Sequence, residues 1–155
     1  MKKMLMVLVL VAILTTGTVF ADSFGIGVHT GVGGVGGGGG VNLAFSDLYI
    51  YIDALGIGNS MHIAGAVDFM SLFGAGLAPT LDFYIRFGIG ASLWGLNDTL
   101  GLAASARLPI GLSWRPISLL EIFFQIVPQI GLQVLPDIGF ASNFWGGNLG
   151  IRLWL

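Results

Sequence analysis

The stretch LDFYIRFGIGASLWG, residues 81–95, alternates between two kinds of side chain along its whole length. Every second residue, beginning at Leu81, is apolar, whereas the residues between them include Asp82, Arg86 and Ser92. Alternation with a period of two predicts a β-strand with two different faces. One face requires an apolar environment, and the other carries charge, a hydroxyl group and glycines.

The same alternation recurs along the chain, with turn-forming residues between the segments. Pro128 falls on the apolar row of one segment and should bend it or mark a bulge. We expect turns or loops near residues 33–40, 46–47, 58–60, 71–79, 96–98, 115–117 and 135–145. The predicted strands number eight and lie at residues 23–32, 41–46, 48–57, 60–70, 80–95, 99–114, 118–134 and 146–155.

The composition excludes several classes of protein. Hydrophobic residues make up 55% of the chain and charged residues only 9%, whereas about a quarter of a typical soluble domain is charged. The only two lysines are Lys2 and Lys3, so we expect no nucleic-acid partner, because phosphates require clustered basic residues. The chain has no cysteine, which excludes disulfides and thiolate metal sites.

The first 21 residues have the pattern of a secretory signal peptide. Lys2 and Lys3 precede an apolar run from Met4 to Leu14, and Val19-Phe20-Ala21 supplies small residues at the two positions that a signal peptidase reads. The alternative is a membrane anchor, which normally needs about 20 apolar residues. We therefore expect a signal peptide at 1–21 and one β-barrel domain at 22–155.

Two architectures accept alternating strands. A soluble sandwich buries the apolar rows and exposes the polar ones, whereas an outer-membrane barrel turns its apolar rows to lipid. Here the polar rows hold mostly glycine, alanine, serine and aromatic residues, which suit a narrow interior. A helical membrane protein is disfavoured, because after residue 21 no stretch of about 20 apolar residues lacks alternation. The sequence predicts an all-β fold, a transmembrane antiparallel up-and-down β-barrel of about eight strands in the bacterial outer membrane.

The charged residues of the polar rows should then point into the barrel. Because an unpaired charge in a low-dielectric interior is costly, we expect these groups to pair there as a charge network. The alternatives are a structural plug of salt bridges and a gated polar path. The predicted lumen charge network consists of Asp53, Asp68, Asp82, Arg86, Arg107, Glu121 and Arg152.

The chain resembles the small eight-stranded outer-membrane barrels of the OmpA/OmpX type. The stretch from Ala106 to Leu132, ARLPIGLSWRPISLLEIFFQIVPQIGL, together with the ending GIRLWL, also resembles uncharacterised spirochaete outer-membrane barrel proteins. The resemblance implies membrane lipids and the outer-membrane assembly machinery as partners. Barrels of this class usually end in an aromatic residue that this machinery recognises, and here Trp154 precedes the final Leu155.

Other motifs give weaker signals. GVGGVG at residues 31–36 has the spacing of a phosphate-binding loop, but it lacks a following helix, so we expect a flexible loop. His29 and His62 lack a third ligand at suitable spacing, so we expect hydrogen-bonded lumen histidines rather than a metal site. Ser60 and His62 resemble the Ser/His pairs of membrane acyl hydrolases, but no G-x-S-x-G motif or equivalent accompanies them. We therefore expect no enzyme, no cofactor and no metal.

Three functions remain open. The first is a barrel with a largely filled lumen that serves envelope structure or surface contact, with an external protein as a possible ligand. The second is a small channel for a narrow or apolar solute, and the third is a lipid-modifying enzyme. Both chain ends and the turns near 46–47, 71–79 and 115–117 should face the periplasm, and the loops near 33–40, 58–60, 96–98 and 135–145 should face outward. Segments 80–95 and 99–114 should rise outside the membrane as a two-stranded blade whose edge pairs with a partner strand. The alternative is a strongly tilted strand that stays within the bilayer.

Overall fold

The computed structural model describes residues 24–33, 38–57, 60–96, 99–140 and 145–155. The predicted signal peptide and the centres of the four predicted outward loops lie outside these residues. All regular structure described is β, and no helix long and apolar enough to cross a membrane occurs among these residues. The strands are β1 Phe24–Val32, β2 Gly39–Phe45, β3 Leu48–Ile57, β4 Ser60–Ala78, β5 Leu81–Leu96, β6 Thr99–Arg107, β7 Ile110–Ile117, β8 Leu120–Leu135, β9 Gly139–Phe140 and β10 Trp145–Trp154.

The strands close into an antiparallel ring. Strands β1 to β5 each pair with the next strand in the chain. Strands β6 and β7 lie one after the other along the same two neighbours, because each pairs with β5 on one edge and with β8 on the other. Strand β8 then pairs with β10, and β10 pairs with β1. Among the described strands the short β9 pairs only with β8, at Leu132 and Gln133, beyond the stretch of β8 that pairs with β10.

The stagger of the ring follows from the register. A path around the ring that starts at Gly27 of β1 and steps to the directly paired residue of each next strand, from β2 to β6, arrives at Gly131 of β8. The path in the opposite direction steps from Gly27 to Arg152 of β10 and then arrives at Glu121, which also lies on β8. The offset between Glu121 and Gly131 is ten residues, which means that the strands are strongly tilted against the barrel axis. An eight-stranded ring of this kind has an interior just wide enough for side chains to fill.

The prediction of about eight strands in an all-β barrel is confirmed, with one interruption. The predicted sixth strand divides into β6 and β7 at Leu108 and Pro109. Pro109 has no N–H to donate, although its carbonyl oxygen still accepts from the N–H of Arg86 at 2.9 Å. The pairings of β6 and β7 with β5 lie in one continuous register, so the two segments occupy one position in the ring.

The predicted turn at residues 71–79 is wrong. Strand β4 continues to Ala78, and only Pro79 and Thr80 form the turn before β5. Gly74 and Gly76 suggested a turn, but both residues pair with β5 in a stretch that contains three register shifts. The predicted turn at 115–117 is displaced to Ser118 and Leu119, whereas the turn at Ser46 and Asp47 lies where the sequence predicts it.

The prediction of a free two-stranded blade is also wrong. Strand β5 pairs with β4 as far as Leu96, opposite Ser60, and β6 pairs with β8 from Leu102 to Arg107. The outer edge of β5 is therefore occupied to its end and that of β6 from Leu102 onward, which leaves only residues 99–101 without a described partner on that edge. The two ends of the barrel are named here by their connections: the turn end holds the turns at residues 46–47, 79–80 and 118–119, and the loop end holds the others.

Candidate functional site: the lumen of the barrel

The inward rows of the strands form a polar interior. Strand β8 shows the arrangement clearly, because Glu121, Phe123 and Gln125 are buried whereas Phe124 and Ile126 are exposed. The alternation holds around the ring, so that charged, amide and aromatic side chains meet inside. The buried polar side chains are His29, Asn42, Asp53, Asp68, Arg86, Arg107, Ser113, Glu121, Gln125, Gln129, Asn148 and Arg152.

Arg107 and Asp68 form an ion pair near the middle of the lumen. Arg107 Nε lies 2.9 Å from Asp68 Oδ1, and both side chains are completely buried. The two groups are close but poorly aligned for a hydrogen bond, and neither makes one to another described residue. The guanidinium carbon of Arg107 also lies 5.1 Å from the centroid of the Tyr51 ring. Charge attraction and ring contact therefore hold Arg107, with little help from directed hydrogen bonds.

Arg152 and Glu121 form a second pair nearer the turn end, and here the hydrogen bonds are well developed. Arg152 Nη1 donates to Glu121 Oε2 at 2.8 Å, and Arg152 Nε donates to Asn42 Oδ1 at 2.8 Å. Glu121 also accepts from Ser113 Oγ at 2.7 Å and from Trp154 Nε1 at 2.7 Å. These contacts join β2, β7, β8 and β10, so the pair connects strands across the lumen.

Arg86 is held differently. Its guanidinium carbon lies 3.5 Å from the centroid of the Tyr49 ring and 3.8 Å from that of the Tyr84 ring. Among the described residues, no carboxylate lies within 4 Å of it. The hydroxyl of Tyr84 donates to Gln125 Oε1 at 3.0 Å, which fixes one of the two rings.

His29 and Asp53 form a third contact, on the loop-end side. His29 Nε2 lies 2.6 Å from Asp53 Oδ1, and the imidazole packs edge-on against Tyr51 at 5.4 Å between ring centroids. This is the hydrogen-bonded lumen histidine that the sequence predicts. His62 is half-buried on β4. No group of three or more His, Asp or Glu side chains within the described ranges could hold a metal ion.

One member of the predicted charge network lies elsewhere. Asp82 follows the inward row of β5 but is exposed, because β5 there extends beyond the start of β3 toward the turn end. Arg115, which the sequence assigned to a turn, belongs to β7 instead. Its Nη2 lies 3.9 Å from Glu121 Oε2, and its side chain is 40% exposed.

The aromatic partners of the arginines were not predicted. The alternation places three tyrosines on the same inward rows as Asp53 and Arg86, namely Tyr49, Tyr51 and Tyr84. Their position on these rows is the sequence signal that could have identified them. Trp154 has lumen parity too, and its buried indole donates to Glu121. Because flat guanidinium groups stack well on aromatic rings, an inward tyrosine beside an inward arginine is a recognisable pattern.

Several buried polar atoms have no hydrogen-bond partner among the described residues. They belong to both donors and acceptors, and each of these atoms is closed to solvent. The arrangement brings together ion pairs and rings, and no nucleophile with an adjacent base appears among these contacts. The side chain of Ser60 lies outside the side chains described. The residues with such atoms are His29, Asn42, Tyr51, Asp53, Asp68, Ser105, Arg107, Arg115, Gln129 and Arg152.

Comparisons with known proteins add little to this geometry. No protein-family model matches the sequence, and no curated protein matches it. Among solved structures, the chain is similar to the crystal structure of neisserial surface protein A, with a TM-score of 0.39 and 10% sequence identity. The match covers 84% of this chain and 94% of that one. At this distance it carries no functional argument, and the fold rests on the strand register.

Proposed function

We propose that the protein is an integral outer-membrane barrel whose lumen is closed by its own side chains, and that its role is structural or one of surface contact. The main evidence for this proposal is the distribution of charged residues between the two faces of the sheet. In the described strands, every charged residue lies on an inward row, and the outward rows contain none. Solvated sheets carry charge on their outer face, so an uncharged outer face indicates lipid.

The apolar outer surface supports a membrane location further. Large hydrophobic side chains are exposed on every long strand, for example Val28, Ile52, Ile89, Ile130 and Leu149. A monomeric soluble protein rarely exposes a continuous apolar surface of this extent. In lipid the same surface is satisfied, and closure of the ring leaves most strands without a free edge. Membrane lipids and the assembly machinery that inserts such barrels are therefore the proposed partners.

The packed lumen supports a closed barrel rather than a channel. The interior holds large side chains such as Arg107, Tyr51 and Phe123, each at most 1% exposed. Three charge contacts and the Arg86 ring contacts join different strands across the interior. A solute would have to break several of these contacts in order to pass.

Exposed apolar residues at the loop end favour a contact role. Ile138, just before the short β9, is 87% exposed, and Phe140, within β9, is 74% exposed. Exposed apolar groups of this kind suit a protein partner. An external protein ligand at the loop end is the corresponding proposal.

Membrane location is tested by fractionation. The protein should sediment with outer membranes, need detergent for extraction, and migrate differently on gels before and after heating, because the barrel resists detergent until heated. Recovery as a soluble periplasmic monomer would contradict the proposal.

Conductance separates the closed barrel from the channel. Purified protein in planar bilayers should show no steady conductance, because the lumen is filled. As a matched comparison, Arg107→Ala together with Asp68→Ala should open conductance by removing two large, fully buried side chains from the interior. Steady conductance of the unmodified protein would favour the small channel instead.

A further inference from the structure

We propose that Arg86 is the anchor of a binding site for a phosphate group at the turn end of the barrel. Arg86 is the lumen arginine whose charge no described carboxylate neutralises within 4 Å. Arg86 is 8% exposed, so part of it is accessible from outside the barrel interior, whereas Arg107 and Arg152 are each 1% exposed. A nearly buried guanidinium without a directly contacting anion is costly, and a bound anion would lower that cost.

The ring contacts of Arg86 place its guanidinium carbon over two rings and do not themselves occupy its N–H groups. With the guanidinium carbon 3.5 Å from the centroid of Tyr49 and 3.8 Å from that of Tyr84, the flat surface of the group meets the rings. The N–H groups point outward in the plane of the guanidinium, where they form a fork. This fork matches two oxygens of a phosphate or carboxylate group.

The sheet provides an opening beside Arg86. Strand β3 pairs with β4 only as far as Asp68, opposite Tyr49, so β4 from Met70 to Ala78 has β5 as its single described neighbour. On the other side of this part of β4, the described residues leave a gap below the turn at Ser46 and Asp47. A ligand can approach the inward face of β5 through this gap.

Small residues keep the approach clear. Ser71, Gly74 and Gly76 of β4 lie directly opposite Arg86, Tyr84 and Asp82 of β5 and therefore share their face. No atom lies within 4 Å of the position that a side chain at Gly74 would occupy, and at Gly76 the nearest atom is Asp82 Oδ1 at 3.6 Å. We call this surface the open face, and define it by Ser71, Gly74, Gly76, Tyr84 and Arg86.

The surroundings favour a phosphate carried by a lipid. The opposite side of the same hairpin presents Phe73 and Leu77, which are 52% and 59% exposed. Acyl chains would lie against these residues while the headgroup reaches the open face. Asp82 is exposed beside it and would repel a simple anion, but it would attract the ammonium group of a zwitterionic headgroup. The lipid as source rests on the proposed membrane location, whereas a site for free inorganic phosphate does not.

Calorimetric titration of the whole folded protein in a maltoside detergent tests the site. The probes are inorganic phosphate at constant ionic strength, short-chain phosphatidylethanolamine, and a diacylglycerol of the same chain length that lacks phosphate. We expect saturable binding of the phosphatidylethanolamine and none of the diacylglycerol. Binding of inorganic phosphate with similar affinity would assign the site to the free anion.

Two variants tie the binding to the open face. Arg86→Gln removes the charged fork and should weaken binding about tenfold or more, as expected for loss of a charge-assisted bidentate contact. Gly74→Phe fills the approach without altering Arg86 and should weaken binding as strongly. Arg115→Gln, which removes an exposed arginine of the same end, should bind like the unmodified protein.

Two results would contradict the proposed phosphate site. Either the unmodified protein binds neither phosphate probe, or Arg86→Gln and Gly74→Phe bind as tightly as it does. Heat-modifiable migration on gels shows which variants are folded. If Arg86→Gln does not fold, Gly74→Phe decides, because no atom lies within 4 Å of the Cβ that it adds. Failure of phosphate binding would leave the membrane fractionation unchanged, so the two proposals are tested separately.

Discussion

The three buried arginines of the barrel obtain their stability from different partners. Arg107 and Arg152 each face a carboxylate at 2.9 and 2.8 Å, whereas Arg86 lies over two tyrosine rings. Removing ions from water is costly, and only close partners in good geometry offset that cost. Arg152 has this geometry, while Arg107 and Asp68 depend on charge attraction with few aligned hydrogen bonds. The pair in the middle of the lumen is therefore the one most sensitive to loss of either partner.

Neutralising one partner of that pair should destabilise the barrel strongly. Asp68→Asn leaves Arg107 as an uncompensated buried charge, and we expect the free energy of unfolding to fall by about 3–5 kcal/mol. The double variant Asp68→Leu with Arg107→Met should lose less, because neither charge remains. Urea unfolding from lipid vesicles measures both. The control is Asp82→Asn at an exposed carboxylate, for which we expect a change within about 0.5 kcal/mol. Equal losses in Asp68→Asn and Asp82→Asn would show that the central pair is solvated.

At the scale of the strands, glycine allows the barrel wall to pack closely. A side chain at Gly27 of β1 would collide with the backbone carbonyl oxygen of Ile151 and with Arg152 of β10. These two strands join the beginning of the described chain to its end. A glycine at this position therefore permits close approach of the strands at the closure of the ring.

Gly27→Ala should destabilise the barrel, because the backbone of the neighbouring strand cannot move aside as a flexible side chain could. Overpacking of this kind typically costs about 1–3 kcal/mol. Gly95→Ala is the matched control, since no atom lies within 4 Å of the added carbon. The same urea unfolding assay compares them. If the two variants lost the same free energy, strand propensity rather than close approach would account for the change.

Alternation predicted most strands and the side of the barrel on which a residue lies, but not the end of β4 or the division between β6 and β7. It identified Arg107 and Glu121 as inward residues, but it could not pair either with its partner, because partners depend on the register of non-adjacent strands. It also misread Gly74 and Gly76, since glycine marks both turns and irregular strands. Asp82 has inward parity and is exposed, because parity says nothing about where a neighbouring strand begins. Predicting which tyrosine rings an arginine stacks on also requires the register of the strands.

At the scale of the whole molecule, closure decides the character of both surfaces. The ten-residue stagger tilts the strands and limits the width of the interior. Only side chains fit inside, so the inward rows must satisfy one another, while the outward rows of the described strands carry no charge and are mostly apolar. A flat open sheet of the same sequence would expose two edges and leave the inward charges in water.

Closure of the ring is directly testable, because the chain contains no cysteine of its own. Thr30 of β1 and Leu149 of β10 are direct partners and both are exposed on the outer face. Cysteines at these two positions should form a disulfide under mild oxidation, since the side chains of direct cross-strand partners lie about 4.5–5.5 Å apart. Thr30→Cys with Ile151→Cys is the control, because that pair is diagonal, with its side chains roughly 7–8 Å apart. The linked chain, closed between its first and last strands, should migrate faster than the reduced chain on a denaturing gel after heating. Equal cross-linking of both pairs would contradict the register, and cross-linking of neither would mean that the sheet is open between β1 and β10.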